Sequence, residues 1–215
     1  MSKVYFYYAN IIDYLRFIFL FSALYFYDKP ALFFTLYASS AMADLFDGMA
    51  ARHFKQFSRF GAALDMICDR LSTASLLMLL GTLYTNYSFL FMFLVLLDVG
   101  SHWLQVYSSL LLIIKNPDIV NHKALKEKYA ILDIYYHNKY VLFSLCLFAE
   151  LFLLLTYLNY YHSELWEIAS YKALYYISLA LYSLKNFISI VQILGAADRI
   201  VHIDEEEIKE RETKK

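Results

Sequence analysis

The chain has 215 residues, of which 60% are hydrophobic and 19% aromatic, and its formal net charge is −1. Only 18% of the residues are charged, against about 25% in an average soluble domain. This composition argues against a water-soluble globular protein, and the near-neutral charge gives no basis for a nucleic-acid partner. We therefore expect an all-α, polytopic membrane protein.

Six apolar segments follow one another along the chain and predict six transmembrane helices. The first segment ends at the turn Asp28-Lys29-Pro30, and the second and third are polar at the ends that a short turn joins. Residues 1–203 are predicted to form one membrane domain, followed by a charged cytosolic tail over 204–215. The approximate ranges of the six segments are 11–27, 31–54, 60–84, 89–114, 140–161 and 173–200.

The positive charges predict how the chain crosses the membrane. If the six segments alternate in direction, all but two of the 19 Lys and Arg residues lie on one side, the exceptions being Lys29 and Lys172. Positive residues concentrate on the cytosolic side of membrane proteins. Both termini and the basic loop 115–139 are therefore expected in the cytosol, and the endoplasmic reticulum is the expected membrane.

Four aspartates lie where segments two and three approach each other. Asp44 and Asp47 are three residues apart, and Asp65 and Asp69 are four apart, so each pair shares one face of its helix. The short turn between the segments predicts antiparallel neighbouring helices, which would bring the four carboxylates together. One isolated charge at this depth costs at least ~2.5–3.5 kcal/mol. Clustered oxygen ligands suit two Mg²⁺ or Mn²⁺ ions, which would bind a phosphoryl group between them.

Three other roles for these acids are alternatives to a metal site. A buried ionic network would pair them with Arg52, Arg59 and Arg70. An ion carrier would use the acids as a transport site, but such proteins more often contain inverted repeats and broken helices, which this sequence lacks. A non-catalytic membrane scaffold leaves four costly charges unexplained.

The spacing of these residues resembles a known signature. The pattern Asp44-x2-Asp47-Gly48-x2-Ala51-Arg52-x8-Gly61-x3-Asp65-x3-Asp69 is similar to that of the CDP-alcohol phosphotransferase family, with no departure in spacing. Further stretches resemble the eukaryotic phosphatidylinositol synthases of that family. They are Asn10-Ile-Ile-Asp-Tyr-Leu-Arg16, Ser58 to Met66, Leu97 to Trp103, Ile134-Tyr135-Tyr136 and Leu184-Lys185.

The resemblance implies a six-helix membrane fold and two Mg²⁺ or Mn²⁺ ions. It also implies transfer of a phosphatidyl group from CDP-diacylglycerol to an alcohol, with release of CMP. The stretch around Asp98 favours myo-inositol as the alcohol, and glycerol 3-phosphate, serine and phosphatidylglycerol are the alternatives. Similar enzymes are commonly dimers, so a homodimer is expected as well.

Roles for individual residues follow from the same resemblance. Asp44, Asp47, Asp65 and Asp69 would bind the metal ions, and Asp69 would also take the proton of the attacking hydroxyl. The small residues among the donor positions would let a phosphate approach the backbone, with close helix packing as the alternative. The positions expected to contact CDP-diacylglycerol are Asn10, Gly48, Ala51, Arg52, Ser58 and Gly61.

A pocket for the acceptor alcohol is predicted around the fourth helix. Its expected residues are Arg70, Asp98, Ser101, His102 and Lys185. For His102 the alternative is a hydrogen-bonded histidine in the bundle interior. Lys185 would either pair with Asp98 or reach an anionic ligand, because an unpaired lysine within a membrane helix is expensive. Glu150, in the fifth segment, is expected to border a partner helix rather than to take part in catalysis.

Overall fold

The computed structural model describes residues 2–115 and 129–213, and every regular element in those two ranges is helical. The all-α prediction is confirmed. Short 3₁₀ helices lie at Lys3–Phe6, Thr85–Tyr87 and Ser163–Glu167. The α-helices in chain order are α1 Tyr8–Tyr25, α2 Pro30–His53, α3 Arg59–Leu83, α4 Ser88–Lys115, α5 Ala130–His137, α6 Lys139–Tyr161 and α7 Ala169–Thr213.

Six of these helices correspond to the six predicted segments, and their ends agree within a few residues except at the end of the last helix. α7 runs through residue 203 to Thr213 without a break, and the side chains of 204–213 are exposed. The charged tail is therefore helical as far as Thr213, and the domain boundary at 203 stays a prediction. Most of the basic loop, residues 116–128, and the last two tail residues, 214–215, lie outside the described residues.

The short helix α5 was not predicted. Its buried residues Leu132 and Tyr135 pack against Leu145 of α6 and Ile188 of α7. The sequence signal was weak because α5 has only eight residues and follows a basic loop.

Four helical stretches have the length and hydropathy of a membrane span. They are Arg59–Leu83, Thr85–Lys115, Lys139–Tyr161 and Ala169–Thr213. α1 and α2 have 18 and 24 residues but contain charged residues, among them Asp13, Arg16 and Asp44. The described residues therefore give four candidate spans, and the six-span arrangement with cytosolic termini stays a prediction.

Apolar packing is concentrated in one half of the bundle. The larger cluster of buried apolar side chains comes from the end of α1, the start of α2, the end of α3, the start of α4, the second half of α6 and the first part of α7. The charged residues of α1, α2 and α3 lie away from this apolar cluster, toward the opposite ends of the three helices. One half of the bundle thus supplies packing, while the other is polar.

The turn between α2 and α3 fixes the geometry of the polar half. Lys55 adopts a left-handed conformation with φ 54°, and Ser58 caps α3 by accepting a hydrogen bond from the backbone N–H of Gly61 at 2.9 Å. Gln56 Oε1 accepts a hydrogen bond from the backbone N–H of Tyr8 at 2.9 Å, which attaches the start of α1 to this turn. α2 and α3 meet mainly through α1, which packs along α2 and also contacts α3, so that α2 and α3 have little direct backbone contact with each other.

Candidate active site

Five carboxylates surround one guanidinium in the polar half of the bundle. The Nη atoms of Arg16, on α1, lie 2.5–3.2 Å from a carboxylate oxygen of each of the five acids. Arg16 itself is 3% exposed, whereas the side chains of Asp44, Asp65 and Asp69 are 38–45% exposed, so the acids remain open to solvent on one side. We refer to Arg16 and the five acids as the aspartate cluster. The acids are Asp13 from α1, Asp44 and Asp47 from α2, and Asp65 and Asp69 from α3.

The predicted convergence of the two aspartate pairs is thus observed, although the cation among them is not one of those considered. The ionic-network alternative expected Arg52, Arg59 and Arg70 to pair with these acids, whereas the structure shows Arg16 paired with them. Of those three, Arg52 and Arg59 line a neighbouring cavity, and Arg70 pairs with an acid on α4. The sequence could have shown Asp13 and Arg16, since they form an i,i+3 charged pair in an otherwise apolar helix.

The arrangement of the carboxylates fits divalent cations. Two groups of three acids each bring one oxygen per residue within 4.8 Å of one another: Asp13, Asp47 and Asp65 in one group, and Asp44, Asp65 and Asp69 in the other. Five carboxylates against one guanidinium leave a formal excess of four negative charges. Carboxylate oxygens are the preferred ligands of hard cations such as Mg²⁺ and Mn²⁺. The donor set therefore suits two divalent ions that share Asp65.

A cavity of about 720 Å³ lies beside the aspartate cluster, between the start of α1 and the α2–α3 turn. Three acids of the cluster line it, together with the guanidinium residues Arg52 and Arg59. Guanidinium groups form strong, often bidentate hydrogen bonds with phosphate. The cavity is lined by all six positions predicted to contact CDP-diacylglycerol, Asn10, Gly48, Ala51, Arg52, Ser58 and Gly61.

Gly48 and Gly61, two small residues of this cavity, make room for neighbouring polar side chains, which the sequence did not predict. A Cβ on Gly61 would lie 2.5 Å from Asn10 Oδ1 and 3.0 Å from Ser58 Oγ. A Cβ on Gly48 would lie 3.3 Å from Nη1 of Arg52. Gly61 thus lets the side chain of Asn10 approach the start of α3, and Gly48 makes room for the Arg52 guanidinium. Asn10 is further fixed by donating from Nδ2 to the backbone carbonyl of Val4 at 2.6 Å.

A second charged cluster lies between α3, α4 and α7. Nη1 of Arg70 is 2.9 and 3.1 Å from the two carboxylate oxygens of Asp98. Lys185 Nζ is 3.8 Å from Oδ1 of the same residue, and His102 Nδ1 is 2.8 Å from its backbone carbonyl oxygen. We refer to Arg70, Asp98, His102 and Lys185 as the Asp98 cluster.

The structure brings together all five residues predicted for the acceptor pocket. Ser101 is fully buried next to the Asp98 cluster and donates from Oγ to the backbone carbonyl of Asp98 at 3.1 Å. Of the two roles considered for Lys185, the pairing with Asp98 is the one observed. Binding of an acceptor by these residues stays a prediction. Trp103 lies outside the cluster, on the exposed face of α4, where its ring stacks on Tyr107.

Comparison with known proteins shows the family to which the chain belongs. A model of the family described as CDP-alcohol phosphatidyltransferase matches residues 6–196. A CDP-diacylglycerol–inositol 3-phosphatidyltransferase of Candida albicans is 40% identical over 163 residues, which cover 75% of this chain and 69% of the relative. Proteins with that name from Arabidopsis thaliana and Homo sapiens are 36% and 34% identical, each over 94% of this chain and 92% and 95% of their own lengths. No solved structure gives a significant match.

Proposed function

The chain belongs to the CDP-alcohol phosphatidyltransferase family, and on that basis we propose that it transfers the phosphatidyl group of CDP-diacylglycerol to myo-inositol, giving phosphatidylinositol and CMP. The observation that supports this most directly is the cavity beside the aspartate cluster, since its lining combines the six donor positions with three carboxylates of the cluster. The names of the relatives support inositol as the acceptor.

The reaction requires a donor that is anchored in the bilayer. We propose six spans with both termini in the cytosol, in the endoplasmic reticulum. α1 and α2, of 18 and 24 residues, are about 27 and 36 Å long, enough to cross or nearly cross the hydrocarbon region. The polar half would then lie at the cytosolic edge, where the acyl chains of the donor can remain in lipid. A homodimer is a further proposal, from the family resemblance alone.

The donor cavity suits an anionic headgroup. Arg52 and Arg59 would donate hydrogen bonds to the pyrophosphate. The start of α3, next to Ser58, adds the positive end of a helix dipole. Asn10 would present its amide to the nucleotide from α1. These groups orient the donor with its phosphorus next to the carboxylates.

The aspartates contribute to the chemistry in two ways. We propose that Asp44, Asp47 and Asp65, with Asp69, bind two Mg²⁺ or Mn²⁺ ions, and Asp13 completes one of the two carboxylate groups. Two such ions supply charge neutralisation on the transferred phosphate and on the leaving CMP. Asp69 takes the proton of the attacking hydroxyl as the new oxygen–phosphorus bond forms and the bond to the CMP oxygen breaks.

The Asp98 cluster is the proposed acceptor site. Arg70 directly follows Asp69 in α3, so an alcohol bound against the Asp98 cluster would have a hydroxyl near the proposed base. Inositol needs several hydrogen-bonding partners, and this cluster has both donors and a carboxylate. A second candidate acceptor is glycerol 3-phosphate, favoured by one observation: within the described residues, the two cations Arg70 and Lys185 form ion pairs with one carboxylate, that of Asp98.

The test is CMP release by the purified protein in detergent, given CDP-diacylglycerol, Mn²⁺ or Mg²⁺, and one alcohol at a time. We expect release that depends on myo-inositol. Release that depends on glycerol 3-phosphate or serine would retain the chemistry and change the acceptor. Absence of release with every alcohol, from protein shown to be folded, would contradict the proposed function.

A further inference from the structure

An acidic residue outside both charged clusters connects three helices within the bundle. Glu150, on α6, accepts hydrogen bonds from Tyr37 OH of α2 at 2.6 Å and from Thr73 Oγ1 of α3 at 2.5 Å. No Lys, Arg or His in the part of the chain that the structure describes forms an ion pair with Glu150. Placing a carboxylate within a membrane bundle is costly, which makes a functional role the default expectation.

The hydrogen bonds of Glu150 lie next to the aspartate cluster. Thr73 is one helical turn after Asp69, and its Oγ1 is also 3.3 Å from the backbone carbonyl of Asp69. In the same layer, Ser40 of α2 donates from Oγ to the backbone carbonyl of Arg16 at 3.0 Å. Hydroxyl groups of α2 and α3 thus contact the backbone that presents the cluster, and Glu150 connects one of them, that of Thr73, to α6.

The spacing of α2 and α3 depends on the groups that bridge them, because the two helices have little direct contact. α1 is one bridge, through Arg16 and its contacts with the acids of both helices. Glu150 is a second, polar bridge beside the apolar packing of the bundle, and it extends from a well-packed part of α6 in which Ala149 and Leu153 are fully buried. Its position is therefore fixed by packing that does not involve the aspartates.

We propose that Glu150 is a positioning residue that sets the separation of α2 and α3, and through it the spacing of the carboxylates of the aspartate cluster. Each of its oxygens accepts a hydrogen bond from one of the two helices, so the carboxylate defines their distance. The consequence for metal binding rests on the proposed function, whereas the consequence for helix spacing does not.

The first test measures the helix spacing in the full chain without any ligand. Nitroxide labels are attached at Met49→Cys on α2 and Ile67→Cys on α3, which are both exposed positions. Pulsed electron paramagnetic resonance then measures the distance between the two labels. Cys68 and Cys146 are replaced by alanine so that they are not labelled. Glu150→Leu removes both acceptor oxygens, so we expect a broader or shifted distance distribution. Glu150→Gln retains one acceptor and gains one donor, so it can bridge both hydroxyls and should keep the original distribution. An unchanged distribution in Glu150→Leu would overturn the proposal.

The second test is the affinity of the purified protein for Mn²⁺, measured by electron paramagnetic resonance. Mutation of residues that hold metal ligands in place typically lowers the affinity for the metal by about 10–100-fold. We therefore expect a loss of Mn²⁺ affinity of that size in Glu150→Leu and near-original affinity in Glu150→Gln. Equal losses in the two variants would indicate that the charge matters rather than the bridge, and would contradict a positioning role. Failure of the unmodified protein to bind Mn²⁺ would overturn the proposed metal site, while the label distances still decide the role of Glu150.

A matched pair of tyrosines serves as the control. Tyr37 and Tyr157 are both almost completely buried, and both rings pack against Phe33. The Tyr37 hydroxyl donates to Glu150, whereas the Tyr157 hydroxyl donates to the backbone carbonyl of Tyr27 at 2.7 Å. We expect Tyr37→Phe to weaken Mn²⁺ binding and Tyr157→Phe to leave it unchanged. Equal effects would mean that general packing, not the Glu150 bridge, controls the site.

Discussion

The two charged clusters differ in their balance of charge. In the aspartate cluster, five carboxylates meet the single guanidinium of Arg16. In the Asp98 cluster, one carboxylate meets Arg70 and Lys185, with His102 beside them. The first cluster has more carboxylates than cations among its own residues, whereas the second contains enough cations for its acid.

This difference indicates what each cluster can bind. Carboxylates packed this closely repel one another unless counter-charges enter the site, so the aspartate cluster is suited to divalent cations and a phosphate. The charges of the Asp98 cluster are compensated without a ligand. Its side chains can instead form hydrogen bonds with the hydroxyl groups of a bound polyol. The four changes that follow test this distinction, from the largest expected effect to the smallest.

Replacing the proposed base should have the largest effect. Asp69→Asn keeps the size of the side chain but cannot accept a proton, so CMP release should fall by about 10²–10⁴-fold, the usual contribution of a general base. Asp204→Asn, in the exposed last part of α7, is the matched control and should retain full activity. Substantial activity in Asp69→Asn would remove Asp69 from the proposed chemistry.

Removing a carboxylate should have opposite effects on stability in the two clusters. Asp98→Asn leaves the partly buried Arg70 and the buried Lys185 without their acid, so the free energy of unfolding should fall by about 3–5 kcal/mol. Asp47→Asn removes one of five like charges and should leave the stability of the metal-free protein unchanged or higher. Thermal unfolding in detergent with a chelator measures both. Equal destabilisation would contradict the difference in charge balance.

Removing a cation from the Asp98 cluster should weaken binding of the acceptor alcohol and leave binding of the metal ions unchanged. Lys185→Met keeps much of the side-chain volume but loses the ammonium, and a hydrogen bond from a charged group contributes about 1.5–3 kcal/mol. The KM for inositol should therefore rise by at least about tenfold. The Mn²⁺ concentration that gives half-maximal activity should not change. A shift in the Mn²⁺ requirement would show that the two clusters do not act separately.

A smaller effect is expected at the donor cavity. In Gly61→Ala the new methyl would displace Asn10 or Ser58, so the KM for CDP-diacylglycerol should rise a few-fold. Gly100→Ala is the matched control, because no atom lies within 4 Å of a Cβ there. It should keep the original kinetics and gain about 0.5–1 kcal/mol of stability, the usual difference between alanine and glycine in a helix. An unchanged KM in Gly61→Ala would remove Asn10 from the donor site.

Much of this site could be predicted from the sequence because it depends on residues that lie close together along the chain. The i,i+3 and i,i+4 spacing of the aspartates and the short α2–α3 turn were enough to predict the convergence of the four acids. The six long helices followed from apolar runs in the same way. The extension of α7 beyond residue 200 was not predicted, because its exposed charged residues resemble a solvated end.

The contacts missed by sequence reasoning depend on tertiary packing. Arg16 is 53 residues from Asp69, and Glu150 is 113 residues from Tyr37. Nothing near these residues in the sequence indicates which helix lies against which. The placement of α1 against both α2 and α3 also could not be derived from the turn between them, which fixes their direction but not their distance.

The number of Mn²⁺ ions bound by the purified protein is the most direct test of the central claim, that divalent cations neutralise the aspartate cluster. Asp65 belongs to both carboxylate groups, whereas Asp13 belongs to only one. Two ions per chain are predicted for the unmodified protein, one for Asp13→Asn and weak or no binding for Asp65→Asn. Equal binding by all three proteins, or no binding by the unmodified protein, would contradict the metal site.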